Sequence, residues 1–113
     1  MVHTDNVWLQ VCDAKTLEPK RILNFTAIDA ELEGVSSSAH PAKDAKAGEI
    51  FNYLVDKQGR LSMFCQDIKS NPARVKWKTI LPCPPCYVHS VGMTKNYALF
   101  ITNVSHLDLF GSL

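Results

Sequence analysis

The chain has 113 residues, of which 46% are hydrophobic and 20% charged. Those proportions are ordinary for one small globular domain and exclude disordered and fibrous classes. Lys and Arg number 12 and Asp and Glu number 11, a net charge of +1, so no basic field marks the chain for nucleic acid or an anionic membrane surface.

The opening MVHTDNVWLQVCDAK has no basic patch ahead of an apolar run, so it reads as neither a signal nor a transit peptide. No stretch reaches the roughly 18 apolar residues of a membrane-spanning helix. The expectation is a soluble, cytoplasmic chain with Cys12, Cys65, Cys83 and Cys86 as reduced thiols. Residues 7–11 (VWLQV) have the β-branched and aromatic content of a strand. Residues 13–19 (DAKTLEP) are turn chemistry closed by a proline, and residues 21–26 (RILNFT) form a second strand. Residues 33–38 (EGVSSS) read as a loop. The best helix candidate, residues 41–53, carries Gly48 and too few apolar residues at helical spacing, so it is rejected. Residues 49–55 (EIFNYLV) and 61–68 (LSMFCQDI) predict a hairpin about the glycine-bearing DKQGR. Residues 74–81 (RVKWKTIL) alternate, with Val75, Trp77 and Thr79 on one face and Lys76, Lys78 and Ile80 on the other. Residues 96–102 (NYALFIT) predict another strand, and residues 107–110 begin one more. The fold class is therefore all-β, an antiparallel meander with unpaired edges at both ends.

Four histidines are present: His3, His40, His89 and His106. His40 precedes Pro41, which biases it towards an extended backbone, and His89 comes shortly after Pro84 and Pro85. Stiff backbone suits a side chain that must be aimed. Spacing alone leaves His40 as a surface loop residue and His89 as a half-buried strand residue. His3 and His106 read as surface residues. Cys83-Pro84-Pro85-Cys86 is a Cys-x-x-Cys pair with His89 three residues on. A redox role wants a helix N-terminus, which this proline-flanked β context lacks. A zinc site at Cys83, Cys86 and His89 lacks a second ligand pair. Packing is the simpler role for both thiols. No phosphate-binding glycine loop, nucleophile elbow or carboxylate pair stands out, and no catalytic side chain is assigned.

Taken together, the histidine segments carry a resemblance. Ser38-Ala39-His40-Pro41, then Asp44 and Gly48-Glu49-Ile50-Phe51-Asn52-Tyr53, resembles the first iron-histidine block of the carotenoid cleavage oxygenases. Pro82-Cys83-Pro84 and Tyr87-Val88-His89-Ser90-Val91-Gly92-Met93-Thr94, with Asn96-Tyr97 after them, resembles the second. Thr4-Asp5-Asn6 and the DAKTLEP turn are similar to the family's preceding strand and turn. The likeness runs in the family's order over nearly the whole chain.

The resemblance implies partial blades of a seven-bladed β-propeller, with residues 1–113 as part of a carotenoid oxygenase domain. It implies an Fe(II) cofactor held by four histidines, with His40 and His89 matching two of them. Asp5 falls where many members place a glutamate that accepts a hydrogen bond from a ligating imidazole, though Asp is one methylene shorter. The implied reaction inserts O2 across a conjugated double bond of a carotenoid or apocarotenoid, giving two carbonyl products. The family extracts lipophilic substrates, which leaves membrane contact in the intact enzyme open. The isolated 113-residue chain, short of two histidine blocks, is expected to be inactive. The competing expectation is a non-catalytic β domain with structural zinc at Cys83, Cys86 and His89.

Overall fold

A computed structural model describes residues 1–70 and 72–102. The predicted segment 107–110 and His106 lie outside the described residues. Strand β1 (Trp8–Cys12) pairs antiparallel with β2 (Pro19–Asn24). A four-stranded antiparallel sheet comes next, in simple chain order: β3 (Ala42–Asp44), β4 (Glu49–Val55), β5 (Leu61–Asp67) and β6 (Arg74–Ile80). A last hairpin joins β7 (Val91–Met93) to β8 (Ala98–Phe100). The fold is thus all-β and antiparallel, as the sequence predicts. Among the described residues no helix is long and apolar enough to cross a membrane.

Strands β4 and β5 stand where the hydrophobic pattern puts them. Their hairpin closes on Asp56, whose Oδ1 accepts from the Gln58 and Arg60 amides at 2.9 and 2.8 Å and whose Oδ2 accepts from Arg60 Nε at 2.7 Å. Burial pushes the Asp56 carboxyl up, but these donors outweigh it and hold it below the usual carboxylate range. Gly59 supplies the positive φ that the turn requires.

Both faces of this hairpin are buried. On one, Leu54 and Phe64 pack against Val7, Leu9, Phe25 and Leu32 from the N-terminal region. On the other, Tyr53, Val55 and Leu61 pack against Cys86, Val88 and Val91. The central sheet is therefore sandwiched between the N-terminal region on one side and the segment entering β7 on the other.

Four expectations change. Residues 25–26 leave the second strand for a 3-10 turn, Phe25–Ala27, because Asn24 Oδ1 accepts from the Thr26 amide at 3.1 Å and caps it. Pro19 opens β2 rather than ending the turn. It sits opposite Cys12 at a register shift, where its missing N–H costs least. The sequence pattern does not announce strands β3 and β7: three residues each, they take their definition from their partners. Finally, the alternation in β6 is broken by a bulge. Cys65 faces Trp77 while Gln66 faces Val75, so Lys76 is the extra residue. Val75 joins the core shared by Leu54 and Phe64, whereas Trp77 lies on the opposite face with its ring centre 6.0 Å from that of Phe51.

Candidate metal centre

His40 ends the loop that enters β3, and His89 ends the segment that enters β7. A parallel bridge pairs His40 with Ser90, and the Val91 amide donates to the His40 carbonyl at 3.3 Å. The two rings consequently meet, with centres 4.7 Å apart and planes tilted by 45°. Both histidines are exposed. In the extended segment before β7 side chains alternate, so the fully buried Val88 turns its neighbours Tyr87 and His89 the other way, towards His40.

Buried polar side chains fix the spacing. Ser38 Oγ donates to the His89 carbonyl and accepts from the His40 amide at 2.9 Å, so one hydroxyl touches both histidine backbones. Asn52, fully buried on β4, holds Ser38 in turn. Its Nδ2 donates to the Ser38 carbonyl at 2.9 Å and its Oδ1 accepts from the Ser38 amide at 3.4 Å. Ser37 Oγ donates to the Tyr53 carbonyl at 2.8 Å.

Asp5 lies beside the pair but bonds Tyr87 rather than a histidine. Its Oδ1 accepts from the Ala39 amide at 3.2 Å, 34 residues on, and its Oδ2 accepts from Tyr87 Oη at 3.3 Å, 82 residues on. Tyr87 Oη lies 2.9 Å from His89 Nδ1. Burial first, and then the Asp5 carboxylate, raise the Tyr87 phenol above its ordinary pKa. Ser38, Asn52 and Tyr87 sit inside the histidine motifs, but nothing in their local pattern announces these roles.

The cysteines behave as packing residues. All four are free thiols, and Cys86 is buried beside Val88 and Val91. Burial, and then Cys83, push the Cys86 thiol up, while burial and then Glu49 push Cys65 to about 11. Among the described residues no three His, Cys, Asp or Glu side chains converge to hold an ion, so Cys83, Cys86 and His89 do not form a zinc triad. His3, expected at the surface, is instead half-buried, with its ring centre 6.2 Å from that of Phe25 and its buried Nδ1 without a hydrogen-bond partner among the described residues.

The spacing of the histidine pair is compatible with a shared metal ion. Two imidazoles bonded to one ion at about 2.1 Å each, roughly at right angles, put their ring centres about 4.5–5 Å apart. The observed 4.7 Å meets that requirement. A separate cleft of about 680 Å³ is lined by Phe51, Met63, Trp77 and residues 93–98, and neither histidine borders it.

The family described as retinal pigment epithelial membrane protein matches residues 1–112, and the chain belongs to this carotenoid oxygenase family. Torulene dioxygenase of Fusarium fujikuroi is 30% identical over 110 residues, covering 93% of this chain and 19% of that protein. A torulene dioxygenase of Gibberella fujikuroi matches to the same extent. The chain thus spans about a fifth of the length of the curated relatives it matches. No solved structure matches it.

Proposed function

We propose that this chain is part of an Fe(II)-dependent dioxygenase that cleaves a conjugated double bond of a carotenoid or related polyene to two carbonyl products. His40 and His89 are two of its iron-holding histidines. The observation that carries this reading is the 4.7 Å separation of two imidazoles from distant segments, both within the span that matches the family. The name of the relatives supports a carotenoid substrate. Fe(II), when bound, would supply open positions for O2. The chain's residues do the holding. The two rings offer nitrogen lone pairs, and Ser38 and Asn52 fix the distance between the segments that carry them.

The architecture supports a propeller. A two-stranded sheet, a four-stranded meander and a second two-stranded sheet, stacked face to face, correspond to a partial blade, a whole blade and a partial blade. On that reading β3 and β7 are inner strands of adjacent blades. Their histidine-bearing leads run side by side in parallel near the axis. Two imidazoles leave most of the coordination sphere to residues beyond this chain, so the 113-residue chain alone is inactive.

Anaerobic Fe(II) titration tests the proposal. Binding is lost in His40→Ala and His89→Ala and kept in Cys83→Ser and Cys86→Ser. Binding that survives both histidine changes, or is lost with the cysteines, overturns it. Polyene cleavage by the purified chain above a free-iron control would overturn the inactivity of the isolated chain.

A further inference from the structure

We propose that Tyr87 is a positioning residue, the link through which Asp5 sets the tautomer and aim of His89. This rests on His89 being a metal ligand, as proposed above. The argument is one of hydrogen-bond direction. An ionised carboxylate only accepts, and a phenol has one proton to donate. Tyr87 Oη lies 3.3 Å from Asp5 Oδ2 and 2.9 Å from His89 Nδ1. If Tyr87 gave its proton to His89, Oη and Oδ2 would face each other as two acceptors. One arrangement satisfies both contacts: His89 Nδ1–H donates to Tyr87 Oη, and Tyr87 O–H donates to Asp5. Nδ1 then carries the proton, and Nε2 keeps its lone pair for the ion.

The same carboxylate reaches the other histidine segment. Asp5 Oδ1 accepts from the Ala39 amide next to His40. Asp5 therefore clasps both leads, one directly through backbone and one through Tyr87. Among the described residues no hydrogen bond joins Asp5 to His89 directly, so the phenol spans the gap that the short aspartate side chain leaves.

The test is made on the metal-free chain with uniform nitrogen-15 label, using long-range proton–nitrogen correlation NMR to read each histidine's tautomer. His89 is expected mainly as the Nδ1–H form. In Tyr87→Phe it shifts towards Nε2–H, with the amide spectrum and the His40 signals unchanged. A merely structural Tyr87 would move the amides and not the tautomer alone. A wild-type His89 that is mainly Nε2–H overturns the proposal without any variant, and so does an unchanged tautomer in Tyr87→Phe. Co(II) titration gives the second readout: affinity falls about 10-fold in Tyr87→Phe. Co(II) binding untouched by His89→Ala would sink the metal-site reading instead. The tautomer, read without metal, decides the Tyr87 link independently.

Discussion

Asn52 is the buried residue on which the histidine spacing depends, and Asn52→Leu measures that dependence. Leucine has nearly the same volume and leaves little cavity. It cannot hydrogen-bond, so the Ser38 amide and carbonyl lose the partners that Asn52 supplies at 3.4 and 2.9 Å. Ser38 and Asn52 are both fully buried, so water does not take over. Each buried group left unpaired costs about 1–3 kcal/mol, and the apolar gain of leucine offsets part of that. The net loss is about 2–4 kcal/mol. For a domain of this size each kcal/mol lowers Tm by about 4 °C, so the expected drop is roughly 8–16 °C. Ser62→Ala is the comparison. Ser62 is also buried in this sheet, but its hydroxyl makes one long bond, 3.4 Å to the Leu54 carbonyl, so its loss costs under about 1 kcal/mol. Thermal melts monitored by circular dichroism separate the two. An Asn52→Leu protein melting within about 2 °C of wild type would refute the reasoning.

Three further outcomes are expected. Gly34→Ala lowers stability by about 1–3 kcal/mol, because its methyl would sit 2.6 Å from Leu54 and 2.7 Å from the Val55 carbonyl oxygen; an unchanged urea midpoint counts against that contact. Phe64→Ala costs about 3–5 kcal/mol, since the ring is fully buried and edge-on to Phe25 at 5.6 Å; a loss under about 1 kcal/mol in denaturant titration contradicts the two-faced core. Burial, and then the Lys43 charge, lower the His3 pKa from 6.5 to about 4, so the folded state resists the proton that the unfolded state takes up. Stability is then full above pH 6.5 and falls as pH drops towards 4. After discounting for partial exposure the loss is about 2 kcal/mol, and His3→Gln, which removes it, should flatten the pH dependence of Tm over that window.

Legibility in the sequence tracks the range of the interactions. The β4–β5 hairpin is readable because two long apolar runs flank a turn whose aspartate and glycine act locally. The bulge at Lys76 is not, because the alternation of RVKWKTIL is intact and only pairing with β5 breaks it. Strands β3 and β7 carry too few residues to show a period. The histidines stand out by their proline-flanked settings and by family likeness. Their meeting depends on a bridge between His40 and Ser90, which no local pattern encodes. Asn52 and Tyr87 act across 14 and 82 residues, beyond any sequence window.

The long-range contacts also explain why the pair forms where it does. Strands β4 and β5 are apolar on both faces and need cover on each. The segment before β7 supplies it on one face through Cys86, Val88 and Val91. Val88 is anchored under Tyr53, whose hydroxyl accepts from the Val88 amide at 3.4 Å. With Val88 pinned inward, the period of two leaves His89 and Tyr87 facing away from the core. The loop that runs past this segment is the one tied to β4 by Ser37, Ser38 and Asn52. That loop ends at His40. Core packing against β4 and β5 thus brings the two leads together, and the buried polar bonds set their separation. The spacing of the two histidines and the stability of the central sheet are therefore parts of one arrangement. On the proposed metal site, changes at Asn52 should disturb ion binding although no hydrogen bond among the described residues joins its side chain to either imidazole, whereas changes to the exposed turn at Lys15 should not.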